Sequence, residues 1–418
     1  MLLKAVVDVA TIQPEWDIAD IFRKHWRAYQ RRYGLSDRHA RVIRHIIECR
    51  TAALGGYKAQ CDTCGKLQIA YCSCRDRHCP KCGAWERAQW LAEQEKLLLP
   101  IPYFHIVFTT DHAINPLVAV GNDGLVYDLL FRAATETLKA YGQRELGGEL
   151  GITAMLHTWG QQLPRHIHLH TLVTGGALGK TESGRWRWQA SKPNYLFDIV
   201  AVAETFRDKF CDGLLELSQR GQLVLRGAAA ELDVPTLVAE MRAKKWEVYA
   251  RVARDREMDG GPEKVLDYFG RYVNRVAIAN YRIVDINGRR VSFRYYDNPD
   301  GGKEKVLTLD AVEFIRRFLQ HVLPKGYMRI WHYGLHHNRK RAQLSQARQL
   351  LGETPDLPPA PELTLTGWLT EILGHDPHRC PFCETGRLLS LGEFSPVRGW
   401  RAIGLRLLGV NLRGRAAA

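Results

Sequence analysis

The stretch Arg165-His166-Ile167-His168-Leu169-His170 continues as Thr171-Leu172-Val173 and stops at Gly175-Gly176. It alternates histidine with apolar residues. Side chains two apart on a strand share a face, so His166, His168 and His170 point the same way, while Ile167, Leu169 and Leu172 serve the core. A row of neutral imidazoles is a ready surface for a divalent metal. Such a row is costly to bury without a partner. The plain alternative is a histidine ladder facing solvent on an ordinary strand.

Around this strand the chain runs to 418 residues, 45% of them hydrophobic, which is enough for a large core and two or three domains. No apolar run approaches the roughly 20 residues of a membrane span. The opening Met1-Leu2-Leu3-Lys4-Ala5-Val6-Val7 is too short for a secretory core and is soon followed by Asp8 and Glu15. A cytosolic protein is expected. Lys and Arg number 59 against 45 Asp and Glu, a formal charge of +14. That excess points to a polyanionic partner, most simply nucleic acid, although a generally basic surface would give the same count. Of the ten cysteines, most fall in C-x-x-C-like clusters, which suits metal binding in a reducing compartment better than disulfides.

Residues 16–50 carry apolar residues at helical spacing with arginines between them, a helical pair with a basic face. Next, Cys61-x-x-Cys64 is followed by Cys72, Cys74 and Cys79-Pro80-Lys81-Cys82. Two such knuckles have the spacing of a structural zinc ribbon, so Cys61, Cys64, Cys79 and Cys82 are the expected ligands. Cys74, Cys72 and His78 are spare and could replace one ligand or build a second site. Arg75 and Arg77 make the module basic and are candidate DNA contacts. Tyr103 to Thr110 and Ile152 to Trp159 read as strands. The short turn Gly160-Gln161-Gln162-Leu163-Pro164 pairs the second of them antiparallel with the histidine strand. This brings His157, Gln161 or Gln162 within reach of the histidine row.

Gly261-Pro262 opens a helix that carries Tyr268-Phe269-Gly270-Arg271-Tyr272 and Arg275. Tyr268 and Tyr272 are four apart and share a face; taken alone, such a pair is more often packing than chemistry. Asn287-Gly288 turns a hairpin between 281–286 and 290–296. From Arg329 to Arg348 the chain has basic residues and no acid, among them Arg339, Lys340 and Arg341, a run suited to phosphate contacts. Cys380-x-x-Cys383, just after His375 and His378, could close a second zinc site.

A metal-binding histidine row, a tyrosine pair and a basic surface together suggest phosphodiester transesterification. The metal would polarise the phosphate and a tyrosine hydroxyl would attack phosphorus. Imidazoles favour Zn²⁺ on affinity, whereas open positions completed by a Gln, Glu or third His suit Mg²⁺ or Mn²⁺.

At these residues the chain resembles the IS91 family of bacterial rolling-circle transposases. The resemblance rests on Ser73-Cys74-Arg75-Asp76-Arg77-His78-Cys79-Pro80-Lys81-Cys82, on Pro102 to Phe108, on Thr158-Trp159-Gly160-Gln161 to His170 and on Tyr268 to Tyr272, in that order over roughly residues 15 to 390. It implies an α+β protein in which a helical and zinc-ribbon-like region (1–99) precedes an HUH (His-hydrophobic-His) nuclease core with a central antiparallel sheet flanked by helices (100–300). A basic C-terminal region with a second knuckle (301–418) would follow. It implies His168 and His170 as the HUH pair, with His166 beside them, a catalytic Mg²⁺ or Mn²⁺ and a structural Zn²⁺. It implies Tyr268 and Tyr272 as nucleophiles, and a 5′-phosphotyrosine link in single-stranded DNA at mobile-element ends, acting at the bacterial nucleoid. The oligomeric state is left open. Ile167 stands where the family has proline and Tyr281 where it has histidine; neither change removes a catalytic atom. The competing readings are a replication initiator or relaxase of the same nuclease type, a non-catalytic zinc-dependent DNA-binding regulator, and a metal-dependent hydrolase that ignores both tyrosines.

Overall fold

The computed structural model describes residues 15–252, 265, 270, 277–297, 299–357, 364–383 and 385–397. Two amphipathic helices come first, α1 (Ile18–Tyr33) and α2 (Asp37–Glu48). The side chains of Asp17 and Ser36 cap them by accepting backbone N–H bonds. The hairpin β1 (Gly56–Cys61) and β2 (Leu67–Tyr71) follows, then α3 (Ala84–Glu95) and β3 (Tyr103–Thr109). A long helix, α4 (Asp123–Leu146), leads to β4 (Gly148–Glu149), β5 (Gly151–Trp159) and β6 (Arg165–Thr174). The chain continues through β7 (Gly176–Lys180), β8 (Trp186–Ala190), α5 (Ile199–Gln219), α6 (Val234–Ala243) and β9 (Val248–Val252). Next come β10 (Ile283–Asn287), β11 (Arg290–Asp297), β12 (Lys303–Asp310) and α7 (Ala311–Leu319). The described chain closes with β13 (Ile330–Gly334), α8 (Arg341–Leu350), α9 (Leu365–Leu373) and β14 (Leu388–Phe394).

The histidine stretch is the middle strand of a five-stranded sheet ordered β13-β5-β6-β3-β9, with every neighbouring pair antiparallel. Alternation gives the sheet two different faces. On the back, Ile106, Phe108, Ile152, Ala154, Leu169 and Val173 are buried against α4 and α5, with Leu130 and Phe206 among the residues filling the layer. Each of the larger side chains, Ala154 excepted, contributes on the order of 1.5–3 kcal/mol by leaving water. On the front are the histidines and, toward the Thr174 end, Leu172. Leu172 forms a small buried cluster there with Leu91, Leu98, Tyr103, Met155 and Val265. Leu172 therefore lies on the histidine face, as its parity with His170 requires, and helps to roof that face.

A second core joins α1 and α2 to the β10-β11-β12 sheet and α7. The Phe318 ring stands edge-on to Phe22 at 5.3 Å. A third sheet runs β14-β1-β2. The elements of the three sequence regions divided at residues 99 and 300 thus interleave. β13 adds an edge to the central sheet, α7 packs on α1, and β14 pairs with β1. The run 329–348, read above for its charge, supplies that edge strand and α8. Of its basic side chains Arg339 and Arg341 are exposed, whereas Arg329 and Arg348 are buried and Lys340 is half-buried. Among the described residues, no helix is long and apolar enough to cross a membrane.

Candidate functional site

Strand register assembles the site. In the β5–β6 pair His157 stands opposite His168 and Met155 opposite His170, so His157 joins the histidine face. One ring nitrogen from each of His157, His168 and His170 falls within 4.8 Å of the others. His168 Nε2 is 3.1 Å from His170 Nε2. Metal–nitrogen bonds of about 2.1 Å place neighbouring octahedral ligands about 3.0 Å apart, so this spacing fits two ligands of one cation. The outer nitrogens are already engaged. His168 donates its Nδ1–H to the His166 carbonyl at 2.9 Å, which fixes the tautomer and turns the Nε2 lone pair inward. His105 Nε2 lies 2.8 Å from Nδ1 of His170 and can accept its proton in the same way. Two lone pairs facing each other repel unless a cation lies between them.

Burial keeps the His168 and His105 rings neutral, and neutral imidazole is the form that binds metal. Burial pushes both down to about 3. Trp159 stacks on His157 with centroids 4.5 Å apart and walls that side of the site.

His166 stands beside the pair, its ring 4.8 Å from that of His168, but its Nδ1 is 2.9 Å from His112 Nε2 and it is not one of the three converging histidines. His157 takes the third place instead. A bulge in β5 between His157 and Trp159 shifts the register just beyond His157 and accompanies this exchange. His105 and His112 were not singled out by the sequence, because each is alone in its own segment.

Tyr268 and Tyr272, with Arg271 and Arg275, lie outside the described residues. Val265 and Gly270 are described, and both are helical. Val265 belongs to the buried cluster with Leu172 and Met155 on the histidine face. A Cβ at Gly270 would stand 3.1 and 3.2 Å from the methyl carbons of Leu91 in the same cluster. The absent side chain is what permits this close approach.

The cysteines group differently from the single ribbon expected. Cys79 and Cys82 converge with Cys49 and Cys74, while Cys61 and Cys64 converge with Cys380 and Cys383. In the first set the Sγ atoms of Cys49 and Cys82 are 3.5 Å apart, and those of Cys74 and Cys82 3.7 Å. Zn–S bonds of about 2.3 Å give a tetrahedron with edges of about 3.8 Å, so the set fits a structural zinc ion. Hydrogen bonds from Cys49, Cys74 and Cys79 pull the Cys82 thiol far below its ordinary value. The hairpin separates the two knuckles, and each finds its partners outside the other. Cys74, considered above as a replacement, is a full member. Cys49 carried no spacing signal, since it sits alone at the C-terminal cap of α2. Cys72 belongs to neither set.

The basic candidates also divide. Arg75 is exposed in a left-handed turn. Arg77 is not free for DNA: its guanidinium donates to the carbonyls of Tyr327 and, at 3.0 Å, Pro324. Arg339 and Arg341 are exposed. Lys340 pairs with Glu149 at 3.0 Å.

Comparison with known proteins adds the following. Residues 151–343 match the family model described as "Putative transposase", and residues 21–110 match the "Transposase zinc-binding domain". The chain is 43% identical over 396 residues to "Putative transposase y4qJ" of Sinorhizobium fredii, covering 92% of this chain and 96% of that one. It is 28% identical over 394 residues to the transposase for insertion sequence element IS801 of Pseudomonas savastanoi pv. phaseolicola, covering 92% and 89%. No solved structure matches. The zinc-binding match contains Cys49, Cys74, Cys79 and Cys82, and the other match contains all three site histidines.

Proposed function

The chain belongs to the IS91 family of transposases, and from that premise we propose that it cuts and rejoins single-stranded DNA at mobile-element ends through a 5′-phosphotyrosine intermediate, in rolling-circle transposition. The observation that carries this reading is the convergence of His157, His168 and His170 on one buried face of the central sheet. The helical residues Val265 and Gly270, which bracket Tyr268 in the sequence, are anchored to that same face.

The antiparallel sheet, with paired histidines on its middle strand, is the arrangement an HUH nuclease requires. His157, His168 and His170 would hold Mg²⁺ or Mn²⁺. That cation supplies Lewis-acid polarisation of the scissile phosphate and offsets charge in the transition state. The protein's own share is positional. His168 and His170 keep their Nε2 atoms convergent because His166 and His105 hold the outer nitrogens. Trp159 and the Leu172 cluster exclude water from two sides. A tyrosine oxygen, from Tyr268 or Tyr272, forms a bond to phosphorus as the bond to the 3′ oxygen breaks. The phenolic proton is lost and a free 3′-hydroxyl is released. The phosphotyrosine preserves the bond energy, so a later 3′-hydroxyl can displace the tyrosine and rejoin strands without ATP. A second tyrosine allows a second attachment before the first is resolved. Arg75, Arg339 and Arg341 are exposed and available to DNA phosphates.

The test is cleavage of end-labelled single strands from the element's ends, with Mg²⁺ or Mn²⁺ added to chelator-treated protein. Wild type is expected to cleave only with the metal, and His168→Ala and His170→Ala to lose cleavage. Metal-independent cutting, or full activity in both variants, would remove the histidine site from the chemistry.

A further inference from the structure

Cys61 ends β1 and Cys64 sits in the turn that follows, and Cys380 and Cys383 lie shortly before β14, yet the four sulfurs gather at one point. We propose that they bind a second zinc ion, one that ties the C-terminal end of the described chain back to the N-terminal hairpin. Neither family match reaches residues 380–383, and the inference does not depend on the nuclease reading.

The geometry is that of a tetrathiolate. Cys61 Sγ is 3.6 Å from Cys383 Sγ, and Cys64 Sγ is 3.7 Å from Cys380 Sγ. A ZnS₄ tetrahedron has edges of about 3.8 Å, whereas a disulfide would bring two sulfurs to about 2.0 Å. Both halves have the same knuckle form. Backbone N–H groups of Thr63 and Cys64 point at Cys61 Sγ, each at 3.4 Å. Those of Phe382 and Gly386 point at Cys380 and Cys383 Sγ, again at 3.4 Å. Such donors stabilise thiolate charge and orient ligands.

The two halves are also built to meet. β1 and β14 pair antiparallel with Cys61 opposite Leu388. Asp62 and Arg387 exchange backbone contacts, N to O at 3.0 Å and Arg387 N to Asp62 Oδ1 at 2.9 Å. A Cβ at Gly386 would lie 2.4 Å from Cys61 Sγ, so the knuckles close only because glycine stands there. His375 and His378, the local partners the sequence offered, are exposed and outside the set.

On binding, Zn²⁺ replaces the thiol protons, which pass to solvent. The ion then closes a loop from Cys64 to Cys380 that contains the whole central sheet. It makes β14 a fixed third strand of the zinc region rather than a tail.

The experiment uses the full-length protein and a mercurial reagent, which releases zinc held by thiolates, with a colorimetric zinc indicator. Wild type is expected to release two zinc ions per chain. Cys380→Ser/Cys383→Ser, Cys61→Ser/Cys64→Ser and the fourfold variant should each release one, because both pairs serve the same ion. Two ions from the Cys380→Ser/Cys383→Ser variant, or stepwise further loss in the fourfold variant, would overturn the proposal. A ¹¹³Cd NMR spectrum of cadmium-loaded wild type needs no substitution. It should show two resonances in the tetrathiolate region; one such resonance, or a mixed nitrogen–sulfur shift for the second, would contradict the shared site. A protein without the second zinc whose mobility on a non-reducing gel reveals a Cys61–Cys383 or Cys64–Cys380 disulfide would equally refute it.

Discussion

His105 holds the Nδ1 of His170 from behind, and its loss should be felt at the metal. Outer-shell partners of ligating histidines are typically worth about 10–100-fold in metal affinity. His105→Ala is therefore expected to weaken Mn²⁺ binding by about that factor, read by calorimetric titration, while His166→Ala, which faces His112, changes it far less. Arg77 makes a different case. Its guanidinium serves two carbonyls in the 324–327 turn, and charged hydrogen bonds contribute about 1.5–3 kcal/mol each. Arg77→Ala should lower unfolding free energy by about 3 kcal/mol in urea titrations, with a smaller effect on DNA affinity than Arg75→Ala. The reverse ranking would make Arg77 a DNA contact after all. At this scale the sequence was legible where residue type repeats at a fixed period. His168 and His170 announced themselves in that way. His157 and Cys49 did not, because each reaches its site through a strand partner or a helix end that no local spacing encodes.

At the scale of elements, Val265 and Gly270 pack among residues that roof the histidine face. Gly270 approaches Leu91 so closely that a larger side chain must push the two apart. Gly270→Leu is expected to reduce cleavage by at least tenfold while leaving metal affinity unchanged, since overpacking displaces a segment without touching the ligands. Equal cleavage in the variant would show that this contact does not position the nucleophile. Many helices and strands were readable from periodicity: α1, α2, β3, β5, β6 and the β10–β11 turn at Asn287-Gly288 all fall close to where spacing places them. Several elements escaped, β12 and β13 among them. β13 is a five-residue edge strand within a basic run, and β12 alternates exposed with half-buried positions but leaves the apolar Val306 exposed. Such strands are stabilised by the sheet they join, so their own sequences carry little signal.

For the molecule as a whole, buried neutral histidines couple stability to pH. His321 and His336, which contact Thr158 and Thr153 of β5, are both pushed down to about 3 by burial. Their folded values lie below the ordinary value of about 6.5, so the unfolded chain takes up protons first as pH falls. The stabilisation is complete above about pH 6.5 and is lost as pH drops toward 3, at about 1.4 kcal/mol per pH unit for each ring. Urea midpoints measured from pH 7 to pH 4.5 should fall, and His321→Gln should flatten the decline. The same scale hid the most from the sequence. Which knuckle meets which, and that β14 returns to β1, depend on contacts across more than 300 residues. Charge, by contrast, was legible at once: an excess of +14 predicts DNA affinity that weakens steeply with added salt.

The central claim is that a tyrosine of the 268–272 segment, working beside the histidine face, becomes joined to DNA. The direct measurement is to trap the product on a 3′-labelled single strand with Mn²⁺, digest it with protease, and sequence the nucleotide-bearing peptide by mass spectrometry. The expected peptide carries a 5′-phosphodiester on Tyr268 or Tyr272, and the Tyr268→Phe/Tyr272→Phe protein yields none. Cleaved strands with free 5′-phosphates and no modified peptide would contradict the account, leaving a hydrolase that uses the histidines alone.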